Sequence, residues 1–312
     1  MRRRDDLARI RMAVGETGLG ERLGRYYLDL RPVIPVVESG YHGPLDEQGV
    51  PLTRVGPGRP VYSTVTIAQY ALALHDASMD LTDTGLQQRL LIQLEAIRAH
   101  VEADGAWRGF SVHRWDNAKY GSLRAPWVSA LSQGNGISAL LRGFQRSGDK
   151  GQLQTAESMF AAMERDLRDG GVRTSDRCGH LWFEEYPSDP PLHVLNGFVF
   201  ALFGVLDFAR ATGERKGWQW WEAGIETLKA HLADFDCGYW SAYDLRYREL
   251  TSLHYQLNIH VPQLEAMHAL TGLDIFRRYA ERWRQQVHAP WSRARWWLGL
   301  RWQAFRRGRR FE

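Results

Sequence analysis

Ile137-Ser138-Ala139-Leu140-Leu141-Arg142-Gly143 and Val199-Phe200-Ala201-Leu202-Phe203-Gly204 are one pattern written twice, 62 positions apart. Both lie inside longer apolar runs. Ile67–Ala77, Ser129–Arg146, Val194–Ala211 and Tyr255–Leu270 each read as an apolar helix, and a more amphipathic helix follows each, at 85–103, 152–168, 215–232 and 274–287. Short glycine-containing turns, Ser147-Gly148-Asp149 and Thr212-Gly213-Glu214, join the later pairs. Between pairs run aromatic loops: Gly105-Ala106-Trp107, Gly179-His180-Leu181-Trp182 and Gly238-Tyr239-Trp240. A helical hairpin plus loop, about sixty residues long, thus occurs about four times. A helix that is apolar nearly all round needs cover on more than one side, which predicts an α/α toroid rather than an open solenoid. The long loops then gather at one end, where a cleft is expected.

The chain divides accordingly. Residues 1–25 read as a basic, helical lead. Residues 26–62, rich in Gly, Pro, Val and Tyr, read as a β-hairpin with strands at Val33-Ile34-Pro35-Val36-Val37 and Gly49-Val50-Pro51-Leu52. The mainly α barrel fills 63–288, and a Trp/Arg-rich tail fills 289–312. That tail holds seven arginines against one glutamate, so six of its positive charges outweigh a body of −2 to give the net +4. Basicity confined to a tail gives no reason to expect a nucleic-acid partner. Interleaved Trp and Arg suit an anionic surface, either a membrane or an acidic polysaccharide; the plainer alternative packs those tryptophans on the barrel. Met1-Arg2-Arg3-Arg4 lacks an apolar segment after it, and Leu192–Leu206 is too short and interrupted to span a bilayer. The expectation is a cytoplasmic protein with no signal peptide or transmembrane helix. Cys178 and Cys237 read as two buried thiols rather than a disulfide.

Ionisable chemistry concentrates at 182–197, Trp-Phe-Glu-Glu-Tyr-Pro-Ser-Asp-Pro-Pro-Leu-His-Val-Leu-Asn-Gly. Pro187 disfavours helix at Tyr186, and Pro190-Pro191 stiffen the approach to the next helix. The following loops add Tyr243-Asp244-Leu245-Arg246, then Tyr255 and His260. Singly, each has a plainer reading: tryptophans plugging the barrel end, an Asp244–Arg246 surface pair, tyrosines packing with wet hydroxyls. His180, His193 and His260 lack zinc-ligand spacing, so no metal is expected. No dinucleotide fingerprint is present, and no cofactor is expected.

Together these residues resemble a family. Trp182-Phe183-Glu184-Glu185-Tyr186-Pro187 with Val194-Leu195-Asn196-Gly197-Phe198 resembles the signature of the D-glucuronyl C5-epimerases, which turn glucuronate into iduronate within heparosan-type polysaccharide. Val65-Thr66-Ile67-Ala68-Gln69-Tyr70, Ser132-Gln133-Gly134 and Tyr243-Asp244-Leu245-Arg246 extend the resemblance over roughly residues 26–288. It implies a β-hairpin segment leading into an α/α barrel, and a homodimer. It implies catalytic roles for Glu185, Tyr186, Tyr243 and Tyr255. Substrate-binding roles are expected for Arg246, Asn196, Glu184, Gln133, His260 and Trp182. The family spacing from the third tyrosine to its His-Ile-x-Gln-Leu motif is one residue shorter than Tyr255 to His260-Val261-Pro262-Gln263-Leu264, and Val128 stands where the family often has tyrosine.

Inverting C5 of a uronate removes a proton alpha to a carboxylate and returns one to the opposite face. A cation on the substrate carboxylate spreads the developing charge, a role suited to Arg246 with Asn196 as a further donor. Two proton-transfer groups must flank the ring, Tyr186 or Glu185 on one face and Tyr243 or Tyr255 on the other. A polysaccharide lyase shares the first step and then expels the 4-O group. A non-catalytic glycan-binding toroid is the third reading.

Overall fold

The structure, a computed structural model, describes residues 12–310 apart from 42, 55–58, 81–82, 110–122 and 124–125. Its elements run α1 (Val33–Glu38), β1 (Leu52–Thr53), β2 (Val61–Tyr62), α2 (Thr64–Asp80), α3 (Thr84–His100), β3 (Arg108–Gly109), β4 (Trp127–Val128), α4 (Ala130–Ser147), α5 (Lys150–Ala162), β5 (Arg173–Ser175), β6 (Leu181–Phe183), α6 (Leu195–Thr212) and α7 (Arg215–His231). There follow α8 (Leu253–Tyr255), a π turn (Gln256–His260), α9 (Val261–Thr271), α10 (Asp274–His288) and α11 (Pro290–Arg310). The strands form three separate antiparallel pairs, β1–β2, β3–β4 and β5–β6.

All eight expected helices are present, but the second outer one stops at Ala162, six residues early, and a π turn interrupts the fourth inner one. Asp83 and Asp149 cap α3 and α5 by accepting the first free N–H groups. Gly148, Gly213 and Gly272 end the inner helices in the left-handed conformation, with φ of 76°, 73° and 70°. Each inner helix packs on the outer helix that follows it, and α2, α4 and α6 pack side by side, giving the α/α toroid. Residues 195–210 of α6 are all buried. This helix is apolar and long enough to cross a membrane by composition, but 89% of it lies inside the fold, where it serves as core.

Helices α4 and α6 meet backbone to backbone where Gly134 faces Ala201 and Gly204. A Cβ on Gly204 would lie 2.4 Å from Gly134 Cα, and one on Gly134 would lie 2.7 Å from Ala201 Cα. Side chains elsewhere in these helices can therefore interlock at short interaxial distance.

Two expectations fail in the N-terminal region. Residues 12–25 form no helix; Ala13–Glu16 instead run antiparallel to Tyr26–Asp29 through N–H···O bonds such as Gly15 to Tyr27, 2.8 Å. Residues 1–11 lie outside the described residues. Val33-Ile34-Pro35-Val36-Val37 is helix α1, not a strand. Pro35 sits in the first helical turn, where its missing N–H has no partner to lose. The hairpin-like pairing begins later, at β1–β2. Cys178 is exposed and Cys237 half-buried, both as free thiols, which corrects the expectation of two buried ones.

The N-terminal segment plugs one end of the toroid. Tyr26 hydroxyl donates to Asn135 of α4 (2.9 Å), Tyr27 hydroxyl to Asp207 of α6 (2.7 Å), and Tyr26 N–H to Asp76 of α2. Asp207 also pairs with Arg142, both fully buried, so neither charge is left uncompensated. The opposite end, where the inner helices begin, carries the aromatic loops. Trp107, Trp182 and Trp240 from three of them are fully buried and seal it. The C-terminal helix α11 lies against this end through Trp296, which stacks on Trp240 at 4.9 Å and donates to Thr251 O.

Candidate active site

Strand β6 continues past Phe183, with Glu184 N–H donating to Val172 O at 2.7 Å and Glu184 O accepting from Ala130 N–H at 3.0 Å. Successive extended residues point opposite ways, and the two glutamates diverge. Glu184 turns to His193, accepting from its backbone N–H (3.0 Å) and facing its Nδ1 (2.6 Å). His193 adopts the left-handed region, φ 54°, uncommon for any residue other than glycine. The two contacts with Glu184, and stacking on Trp182 at 4.4 Å, hold it there.

Glu185 turns towards the tyrosines. Loop 243–245 is stitched to 192–195 by Leu195 N–H to Tyr243 O (3.2 Å) and Leu245 N–H to Leu192 O (3.1 Å). That pairing sets the Tyr243 hydroxyl 3.2 Å from Glu185 Oε1 and 3.3 Å from the Tyr186 hydroxyl. Tyr243 has one proton. With it directed to the carboxylate, Tyr186 is the donor to Tyr243, and the polarity of the chain runs Tyr186 to Tyr243 to Glu185. Asn196 Nδ2 approaches Glu185 Oε2 at 3.4 Å, while Gln263 donates to Asn196 O at 3.0 Å. Gly197 makes room for this arrangement: a Cβ there would lie 2.5 Å from both Glu185 Cβ and Oε2. Burial, then the charges of Glu185, Tyr186 and Tyr255, push the Tyr243 phenol well above its ordinary range. At neutral pH it is a protonated donor.

Tyr255 stands edge-on to Tyr243 with ring centroids 5.6 Å apart. Directly after it the helix opens into the π turn Gln256–His260. A π turn is how a helix absorbs one additional residue, which accounts for the extra residue between Tyr255 and the His260 motif. The sequence had flagged the insertion but not its form.

Several expected substrate contacts serve the scaffold instead. Gln133 is wholly buried, accepts from Trp107 N–H (2.8 Å) and donates to Gly105 O and Met159 O, so its amide is occupied by the loop and outer helix. Gln256 repeats this stapling one end to Ser241 N–H and the other to Trp283 O. Trp182 and Glu184 are also fully buried and position His193. His260 lies behind Tyr255, its Nδ1 3.1 Å from Ser241 Oγ; burial lowers its pKa to about 3, so it is neutral and cannot serve as a cation. Arg246 stays on the rim, exposed, donating to Pro190 O at 2.6 Å and lying over Tyr247.

The spacing of the hydroxyls bears on which of the expected pairings fits a two-sided reaction. Reacting groups that approach C5 from opposite faces at about 3–3.5 Å stand roughly 6–7 Å apart. The Tyr186 and Tyr243 hydroxyls, 3.3 Å apart, stand closer together than that. Tyr255 remains the candidate for the second face.

With this constellation described, its relatives can be placed. The model of the D-glucuronyl C5-epimerase C-terminus matches residues 102–285, more than half of the chain, and the chain belongs to that family. It is 30% identical over 168 residues to an uncharacterised protein of Methanocaldococcus jannaschii, a match covering 53% of this chain and 54% of that one. It is 30% identical over 175 residues to the D-glucuronyl C5-epimerase of Caenorhabditis elegans, covering 50% of this chain and 28% of the relative. The match thus spans about half or less of these relatives. Among solved structures, the unsaturated glucuronyl hydrolase of Bacillus sp. GL1 aligns over 72% of this chain and 60% of its own, at 14% identity and TM-score 0.47.

Proposed function

We propose that this chain is a uronate C5-epimerase, converting D-glucuronate to L-iduronate residues within a heparosan-like acidic polysaccharide. The hydrogen-bonded chain Tyr186–Tyr243–Glu185 carries the reading, because it couples two phenols to one carboxylate. The C5–H bond breaks toward a phenol oxygen while the phenol proton passes along the chain to Glu185. The electron pair moves into the substrate carboxylate as an enediolate. Reprotonation from the other side, assigned to Tyr255, forms the inverted C5–H bond. Among the described residues Arg246 engages only one guanidinium nitrogen with a hydrogen-bond acceptor, at Pro190 O, which leaves further N–H donors for the substrate carboxylate. Asn196 holds Glu185 and acts on substrate only through it.

Heparosan and chondroitin incubated with the protein in deuterated water provide the test. Deuterium at C5 and iduronate signals by NMR are the expected result; a product absorbing in the near ultraviolet from a new double bond would instead make it a lyase. Binding without exchange would make it a glycan-binding module. Tyr243→Phe removes the central link and should abolish exchange, so near-normal exchange in that variant refutes the assignment.

The proposal extends to the tail. Helix α11 packs by Ser292, Trp296 and Leu300 and leaves Trp291, Leu298, Trp302 and Phe305 exposed along the other face, beside Trp297. Arg301 and Arg306 lie over Trp297 and Trp302. An apolar face flanked by guanidinium groups suits an anionic bilayer surface. Sedimentation with anionic vesicles should be lost on truncation after residue 289; binding unaltered by truncation, or a concentration-dependent dimer through this face in place of vesicle binding, overturns it.

A further inference from the structure

Among the described residues one group of three side chains has its ligating atoms gathered as a metal ion would gather them: Asp176, His180 and His231, within 4.8 Å of one another. It lies outside the tyrosine–glutamate chain. Asp176 and His180 flank the turn into β6, and His231 ends α7. Asp176 Oδ2 is 2.8 Å from His180 Nδ1 and 2.6 Å from His231 Nε2. The other oxygen, Oδ1, is anchored by N–H groups of Cys178 (2.8 Å) and His180 (2.9 Å), which aims Oδ2 at the two rings.

One carboxylate oxygen is shared by two imidazole nitrogens, and a second carboxylate stands behind one of the rings. Each imidazole nitrogen facing Oδ2 needs a hydrogen to make that contact favourable. His231 presents its remaining nitrogen, Nδ1, to Asp234 Oδ2 at 3.0 Å. A divalent ion satisfies all three inner atoms at once. His231 then carries its hydrogen on Nδ1 toward Asp234, leaving the Nε2 lone pair for the ion. A carboxylate behind a ligating histidine is the usual outer partner of such a site. The helix C-terminus at His231 adds negative potential.

We infer that Asp176, His180 and His231 form a structural divalent-metal site of the zinc class, with Asp234 orienting His231. Two imidazoles and one carboxylate oxygen are borderline ligands of the kind zinc accepts. Tetrahedral ligand atoms at zinc distances lie about 3.3 Å apart, so Asp176 Oδ2 must withdraw by about 0.5 Å from His180 Nδ1 and about 0.7 Å from His231 Nε2, while ligand atoms now as much as 4.8 Å apart close on the ion. The side chains are partly exposed, at 15%, 31% and 21%, which leaves an entry path and a position for water. The ion would tie the β5–β6 turn to the end of α7, a few residues before Glu184-Glu185-Tyr186. The sequence hid it because the ligands are 4 and 55 positions from Asp176 in chain order.

The full chain, stripped with a chelator and dialysed, is titrated with zinc against a chromophoric competitor and, separately, with cobalt for its visible ligand-field spectrum. One equivalent bound, with a four- or five-coordinate cobalt spectrum, is expected. Asp176→Asn and His180→Gln should each lower affinity at least 100-fold, and Asp234→Asn roughly 10-fold. Circular dichroism in chelator establishes that each variant folds, and the cobalt spectrum of the unaltered protein needs no variant. Absence of stoichiometric binding, or binding unchanged in Asp176→Asn and His180→Gln, overturns the assignment and leaves an ion-pair network. Neither readout depends on catalysis.

Discussion

Replacing Gly197 with alanine tests whether Glu185 works through its position. The new Cβ would lie 2.5 Å from Glu185 Cβ and Oε2 and 3.0 Å from Cγ, whereas ordinary contact begins near 3.4 Å. Glu185 must retreat by about 0.9 Å, and its bond to Tyr243, now 3.2 Å, stretches beyond hydrogen-bonding range. A displacement of about 1 Å in a proton-transfer group costs on the order of 100-fold in rate. Stability responds differently. Alanine gains about 1 kcal/mol over glycine within a helix, and crowding costs about 1–3 kcal/mol. The net change is within about 2 kcal/mol, a shift of a few degrees in Tm. C5 deuterium exchange followed by NMR, beside a thermal melt, separates the two. Adding Glu185→Asp, one methylene shorter, should restore part of the lost rate. A Gly197→Ala protein that exchanges C5–H near the normal rate would refute the positional argument for Glu185.

Tyr255→Phe should uncouple exchange from inversion: glucuronate still acquires C5 deuterium while iduronate fails to accumulate, and unimpaired inversion would exclude Tyr255 from the second face. His260 supplies a pH prediction. Burial lowers its folded pKa to about 3 against about 6.5 unfolded, so below pH 6.5 the unfolded chain binds a proton that the folded one does not. Its contribution to stability is intact above pH 6.5 and declines as pH falls toward 3, by at most about 1.4 kcal/mol per unit. Denaturant melts of His260→Gln should show a shallower acid limb than the unaltered protein; identical limbs would disprove burial of a neutral imidazole.

The helical hairpins were legible because an apolar helix announces itself through composition along its whole length, and its caps through glycine and aspartate. Val33–Val37 misled because β-branched residues suit strands, while the proline that allows a first helical turn counts in sequence only as a breaker. Glu185, Tyr186 and Tyr243 lie in loops that the repeat places at one end, and the structure does bring them together. Gln133, Trp182 and Glu184 came from the same motifs but face inward. A polar side chain that staples a loop and one that holds a ligand look alike in sequence, and only saturation of Gln133 by three backbone groups tells them apart. Gly197 and Asn196 were visible as a motif, yet their service to Glu185 depends on a contact across 11 positions or more.

The plug formed by Tyr26 and Tyr27 bears on the order in which the molecule can be assembled. Tyr27 finds its acceptor 180 positions later, and Tyr26 finds Asn135 109 positions later. At about 5–20 residues per second, a chain leaving the ribosome carries these two rings without their partners for roughly 5–40 seconds. The first hairpin is complete early, but Asp207 reaches it only with the third. The plug therefore closes only once the third hairpin has emerged, which gives any factor that shields nascent apolar segments a defined interval in which to act.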